Sequence, residues 1–158
     1  MFDQLIKSIQ EKVPVTKEEL ELCKHYFTPK KLRKKQFLLQ EGDVCNRMAF
    51  VEKGAMCSYS TDAKGTQRVI QFAFEGWWIS DLYSFFTKEP SSLSIEALED
   101  SELLLLDHEQ QESLLKNVPK YETYTRMLLQ NAYVALQRRI EGTIGLPAEE
   151  KYSRLLSQ

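Results

Sequence analysis

The sequence is poor in the residues that most reactive sites need. Among its 158 residues are three cysteines, Cys23, Cys45 and Cys57, and two histidines, His25 and His108. The cysteines are odd in number and match no zinc or disulfide spacing. They point to a reduced, cytoplasmic protein. No apolar run approaches the roughly 20 residues needed to span a membrane, so no membrane partner is expected. Met1-Phe2-Asp3-Gln4 lacks the basic-then-apolar plan of a secretory signal. Two histidines far apart in the chain do not supply the strand-borne metal ligands of a cupin enzyme. No paired Ser/His or Cys/His nucleophile arrangement is indicated. The chain is expected to be a binding protein rather than an enzyme, with no metal and no resident cofactor. Its formal net charge is −2, whereas a compact nucleic-acid-binding domain is usually basic. Only Lys30, Lys31, Arg33, Lys34 and Lys35 form a dense basic run. It reads either as a solvated strand edge, where lysines discourage edge-to-edge association, or as a nucleic-acid patch. With 42% hydrophobic and 28% charged residues, the composition suits a globular fold.

Leu5, Ile6, Ile9 and Val13 recur at helical spacing until Pro14. Thr16-Lys17-Glu18-Glu19 has the form of a capping box. Leu20, Cys23 and Phe27 continue a second amphipathic helix, which Thr28-Pro29 closes. The periodicity then changes. Gln36-Leu39, Arg47-Val51, Ala55-Thr61, Arg68-Phe74, Ser94-Leu98 and Glu102-Leu106 read as strands, with Ile70, Phe72 and Phe74 sharing one face. Gly42, Gly54, Gly65 and Gly76 punctuate them at intervals of about a dozen residues, which suggests an antiparallel sandwich or barrel. The interval from Gly76 to Ser94 breaks this rhythm and is the place to seek a site. Phe72, Phe74, Trp77, Trp78, Tyr83, Phe85 and Phe86 crowd the same region. They either line a pocket for a neutral or aromatic ligand or fill the core.

His108-Asn117 reads as a short helix, and Pro119 opens a long one. Leu129, Tyr133, Leu136, Ile140 and Ile144 make one apolar stripe on it. Tyr121, Tyr124, Leu128 and Ala135 make a second, and Arg138, Arg139 and Glu141 form the exposed face. One stripe can pack on the β region, and the second calls for a symmetric copy unless the helix is buried on two sides of a single subunit. Leu146-Pro147-Ala148-Glu149-Glu150 reads as a hinge and the start of a new helix. That helix stops at Gln158 in mid-course, as a truncated domain would.

Several stretches in this order resemble the Crp/Fnr transcription regulators across essentially the whole chain. They are Leu38-Leu39-Gln40-Glu41-Gly42-Asp43, Met48-Ala49-Phe50-Val51-Glu52-Lys53-Gly54, Phe74-Glu75-Gly76-Trp77-Trp78-Ile79 and Leu146-Pro147-Ala148-Glu149-Glu150-Lys151. The resemblance implies a mixed α+β fold. An antiparallel β-roll (a double-stranded jelly roll) is flanked by N-terminal helices and a long C-terminal dimerisation helix. It divides the chain into N-terminal helices (1–28), a cyclic-nucleotide-binding-like roll (29–118), the dimerisation helix (119–145), and a hinge with the start of a helix-turn-helix domain (146–158). In that family the roll senses a small-molecule effector, the long helices pair two subunits, and a further domain reads DNA through the major groove; in this chain the stripe residues Leu129, Tyr133, Leu136 and Ile140 are the expected dimerisation contacts. No candidate for that recognition helix is present in this sequence.

Family members that bind cyclic nucleotides use a short helix whose amides take the phosphate, a glutamate for the ribose and an arginine for the phosphate charge. The corresponding residues here are Ile79, Ser80, Asp81 and Leu82, then Ser91 and Ser92. Ser80 replaces a glycine, Asp81 the glutamate, and Ser91 the arginine. No arginine lies between Arg68 and Arg126, and Lys88 is the only nearby cation. A phosphate without a paired cation keeps several kcal/mol of desolvation cost, and a loss of about 4 kcal/mol is a thousandfold in affinity. Asp81 adds like-charge repulsion. The pocket is therefore expected to bind cyclic AMP or cyclic GMP weakly or not at all, and its effector is unnamed. An iron–sulfur sensor would need four clustered cysteines, and a haem sensor an axial ligand that His25 and His108, in helical contexts, do not offer. The alternative is a stand-alone cyclic-nucleotide-binding-like signalling module that does not bind DNA.

Overall fold

A computed structural model describes residues 1–144. The expected hinge and new helix at 146–158 lie outside the described residues. Met1–Tyr121 forms one compact unit, and Glu122 begins a second.

In the first unit, α1 (Asp3–Lys12) and α2 (Lys17–Lys24) come first. Leu5, Ile9 and Val13 are buried along one stripe of the α1 segment. Thr16 Oγ1 accepts from Glu19 N at 3.1 Å and Glu19 Oε1 from Thr16 N at 3.0 Å, so the expected capping box is present. One correction follows immediately. Thr28-Pro29 does not close this helix, which ends at Lys24, but opens strand β1 (Thr28–Leu32). The lysines and proline conceal a strand that lies at the edge of its sheet, where proline's missing N–H costs no ladder bond.

The remaining strands are β2 (Phe37–Leu39), β3 (Arg47–Lys53), β4 (Met56–Thr61), β5 (Gln67–Ala73), β6 (Trp78–Ile79), β7 (Ser94–Ala97) and β8 (Ser101–Asp107). Helix α3 (Leu82–Thr87) separates β6 from β7, and α4 (His108–Asn117) follows β8. Among the described residues the strands form two four-stranded sheets, ordered β1-β8-β3-β6 and β2-β7-β4-β5, with every pairing antiparallel. The mixed α+β architecture is the one expected. Leu39, Ala49, Val51, Met56, Ile79, Ile95, Leu103 and Leu105 belong to the core. Leu103 to Leu106 do not alternate, and all four are at most 1% exposed. Strand β8 is covered on both faces, because α4 packs on it from outside while α1 packs on β3.

Gly54, at φ +100°, joins β3 to β4 where a Cβ would stand 2.7 Å from the Asp100 carbonyl oxygen and 2.8 Å from Ser101 Cα. Only glycine fits both the backbone angle and the approach. On β5 a bulge interrupts the alternation: Phe72 pairs with Cys57, Gln71 with Ser58 and Val69 with Tyr59, leaving Ile70 as the extra residue. Ile70, Phe72 and Phe74 are all about half exposed.

Helix α5 (Pro119–Ile144) starts in the first unit, where Tyr121 is buried edge-on to Phe27 at 6.4 Å. In the second unit the helix is exposed from Leu129 to Gly142. Leu129, Tyr133, Leu136 and Ile140 are 44%, 66%, 50% and 51% exposed. Ala135, from the second expected stripe, is exposed as well, and the side chain of Ile144 lies outside the described residues.

Candidate functional site

The break in strand rhythm after Gly76 folds into β6, α3 and the return segment to β7. Ile79 is 1% exposed and belongs to the core, where it anchors the segment. Ser80 and Leu82 are half-buried, Ser92 is exposed, and Asp81 and Ser91 are buried at 8% and 3% exposure.

The two buried groups are partners. Ser91 Oγ donates to Asp81 Oδ2 at 2.5 Å. Asp81 is also the N-cap of α3, and its Oδ1 accepts from Ser84 N at 3.3 Å. Both carboxylate oxygens are thus engaged from within the chain. Ser91 is held further by its backbone: Gly42 N donates to Ser91 O and Ser91 N to Asp43 O, each at 2.8 Å. Leu93 N donates to Ser91 Oγ at 3.0 Å.

Ser84, not anticipated from sequence, ties the site together. Its side chain is fully buried, accepts from Cys45 N at 2.8 Å and donates to Glu89 O at 2.5 Å. The loop before β3 is therefore bound to α3, and an isolated bridge from Val44 to Pro90 reinforces the link. The available sequence signal was Asp81 three residues before Ser84, the spacing of an N-cap contact. Lys88, the nearby cation, takes a left-handed conformation (φ 63°) as the C-cap of α3. No ion pair links it to Asp81 among the described residues. Tyr83 donates to Glu89, which raises the phenol above its ordinary range by hydrogen bonding and by the adjacent charge.

The aromatic residues do not gather at one site, which corrects the expectation. Phe85 is buried in the core and stacks on His108 at 3.8 Å between centroids. Trp78 packs between Phe50 (5.3 Å) and Phe27 (6.1 Å). Phe72, Phe74 and Trp77 form an exposed cluster of their own, and Tyr83 and Phe86 are exposed on α3. Strand alternation and a six-residue helix send neighbours in sequence to opposite surfaces.

Burial raises the thiols of Cys23, to about 11, and of Cys45 and Cys57. That favours the protonated, unreactive form. Among the described residues no group of three or more His, Cys, Asp or Glu side chains could hold a metal ion. No described helix is long and apolar enough to cross a membrane.

The family model for the cyclic nucleotide-binding domain matches residues 29–118. No curated protein matches the chain. Among solved structures, the Thermus thermophilus catabolite activator protein is 22% identical, with a TM-score of 0.70 over 80% of this chain and 59% of that one. A cyclic nucleotide-binding domain from Methylobacillus flagellatus is 19% identical, with a TM-score of 0.74 over 89% and 83%. A CooA mutant from Carboxydothermus hydrogenoformans is 17% identical, with a TM-score of 0.67 over 89% of each chain. The present chain thus spans less than two thirds of the Thermus protein's length. At these identities the likeness is one of fold, and the fold is that implied by the resemblance to the Crp/Fnr regulators.

Proposed function

The chain belongs to the cyclic nucleotide-binding domain family, and from that premise we propose that it is the sensor and dimerisation region of a Crp/Fnr-like transcription regulator whose nucleotide cassette is degenerate. The observation that carries the degenerate cassette is the buried Asp81–Ser91 hydrogen bond. By the resemblance, these positions hold a ribose-binding glutamate and a phosphate-binding arginine in relatives that take cyclic nucleotides. Here a carboxylate already caps α3 and already has its serine donor. An arriving phosphate would find, in place of a cation, a serine hydroxyl already given to Asp81. Displacing either bond would leave a buried polar group unpaired, at a cost of about 1–3 kcal/mol each.

Isothermal titration of the whole chain with cyclic AMP and with cyclic GMP tests this. Binding is expected to be weaker than about 1 mM, that is, less than about 4 kcal/mol of free energy. A micromolar constant for either nucleotide would refute the degenerate cassette. The exposed face of α5, with Leu129, Tyr133, Leu136 and Ile140, supports pairing with a second copy. The module acts by binding and not by catalysis. In this reading DNA is recognised by a further domain that the paired helices place. An effector in the roll then acts by shifting the population of their arrangements.

A further inference from the structure

A second concavity shares the loop before β3 with the cassette. A groove of about 800 Å³ runs along β1, β2 and the loop before β3, and no residue from 79 to 92 lines it. Strand β1 ends one sheet and β2 ends the other, so the groove follows the open seam of the roll. Its floor is the buried core residues Leu39 and Ile95, and its wall includes Phe37 and Val44, 41% and 39% exposed. Lys30, Lys31 and Arg47 carry its positive charge, against the single carboxylate of Asp43. Lys30 and Arg47 enter no ion pair among the described residues, and Lys31 has only a distant one to Glu102 at 3.9 Å.

We propose that this groove binds a small amphiphilic organic anion, with its apolar body against Phe37 and Val44 and its carboxylate, sulfonate or phosphate between Lys30, Lys31 and Arg47. The volume falls within the usual range for small-molecule sites, roughly 300–1,000 Å³. Exposed ion pairs are individually weak. The three cations together select the sign of the head group, and Phe37 and Val44 add apolar contact. The solvated strand edge and the basic run become one feature: lysines that guard an edge also form the charged rim. Its charged rim uses no cassette residue, although Asp43, Val44 and Cys45 tie the groove to Ser91, Pro90 and Ser84.

Fluorescence titration of the whole chain with anilinonaphthalene sulfonate, and with uncharged N-phenyl naphthylamine, tests the proposal. The sulfonate is expected to bind at least about tenfold more tightly than the neutral probe, and decanoate to displace it. Replacing Lys30, Lys31 and Arg47 together by Gln should abolish the preference without changing Tm. Val44→Glu, which puts a like charge in the wall, should weaken sulfonate binding by a similar factor. Phe74→Ser, in the separate aromatic cluster, should leave it unchanged. Equal affinity for the two probes, a preference that survives the triple replacement, or loss of the signal in Phe74→Ser would each overturn the proposal. So would stronger displacement by a polyglutamate peptide than by decanoate, which would assign the groove to an extended acidic segment.

Discussion

Asp81 performs two tasks at once: it caps α3 and takes the Ser91 hydroxyl. Asp81→Ala removes the cap and strands a buried hydroxyl, so it should destabilise the chain by about 2–3 kcal/mol in urea melts. Ser91→Ala leaves the cap in place and should cost about 1 kcal/mol; equal losses in the two variants would show that the cap carries no weight. Glu52 is the second buried carboxylate of consequence, 8% exposed. It accepts from Gln4 N at 2.7 Å and Leu5 N at 3.2 Å, supplying from β3 the cap that α1 lacks in its own sequence. Burial pushes its carboxyl above the ordinary glutamate range, and Asp3 adds to the rise. The two amides and the chain's N-terminal ammonium pull the other way. A raised folded-state value means that the folded chain holds the proton more tightly than the unfolded one. This contribution is full below the ordinary range and is lost as pH rises through the folded value. Measured against Glu52→Gln, the wild type should therefore lose relative stability as pH rises from the ordinary glutamate range through the folded-state value. A relative gain over that interval would reverse the sign.

At the scale of elements, local chemistry and tertiary cover divide the work. The Thr16–Glu19 box nucleates α2 from four adjacent residues, and Thr16→Ala should cost about 1 kcal/mol, read by denaturant unfolding. A loss below a few tenths would mean that packing of Leu20 and Cys23 alone holds the helix. Strands β1 and β5 are both terminal in their sheets but are protected differently. Lysines guard β1, whereas β5 carries exposed Val69, Ile70 and Phe72 and a bulge that disturbs its ladder. Helix α5 keeps an apolar face exposed from Leu129 onward.

For the molecule as a whole, that face is the proposed site of pairing with a second copy. Leu136→Glu places a charge in the proposed seam between two copies, and the protein should then run as a monomer by light scattering where the wild type runs as a dimer. An unchanged dimer mass would remove α5 from the interface. Burying an unpaired carboxylate at a helix pair costs several kcal/mol.

How much of this was legible beforehand differs by element. The sequence by itself determined the local features: the capping box, the turns at Gly54 and Gly76, α4 from His108 to Asn117, the opening of α5 at Pro119, and the order of segments that carries the family resemblance. Each depends on residues within a few positions of one another, so their physics is complete in a short window. Tertiary structure decided the rest. It made a strand of Thr28-Pro29-Lys30-Lys31-Leu32 by pairing it with β8, and it split the aromatic residues between the packed interior and two exposed patches. It also brought Ser91 to Asp81 and Glu52 to the start of α1. Those contacts join residues far apart in the chain, and their partners are set by which sheet edges meet when the core closes, a choice that no local pattern encodes.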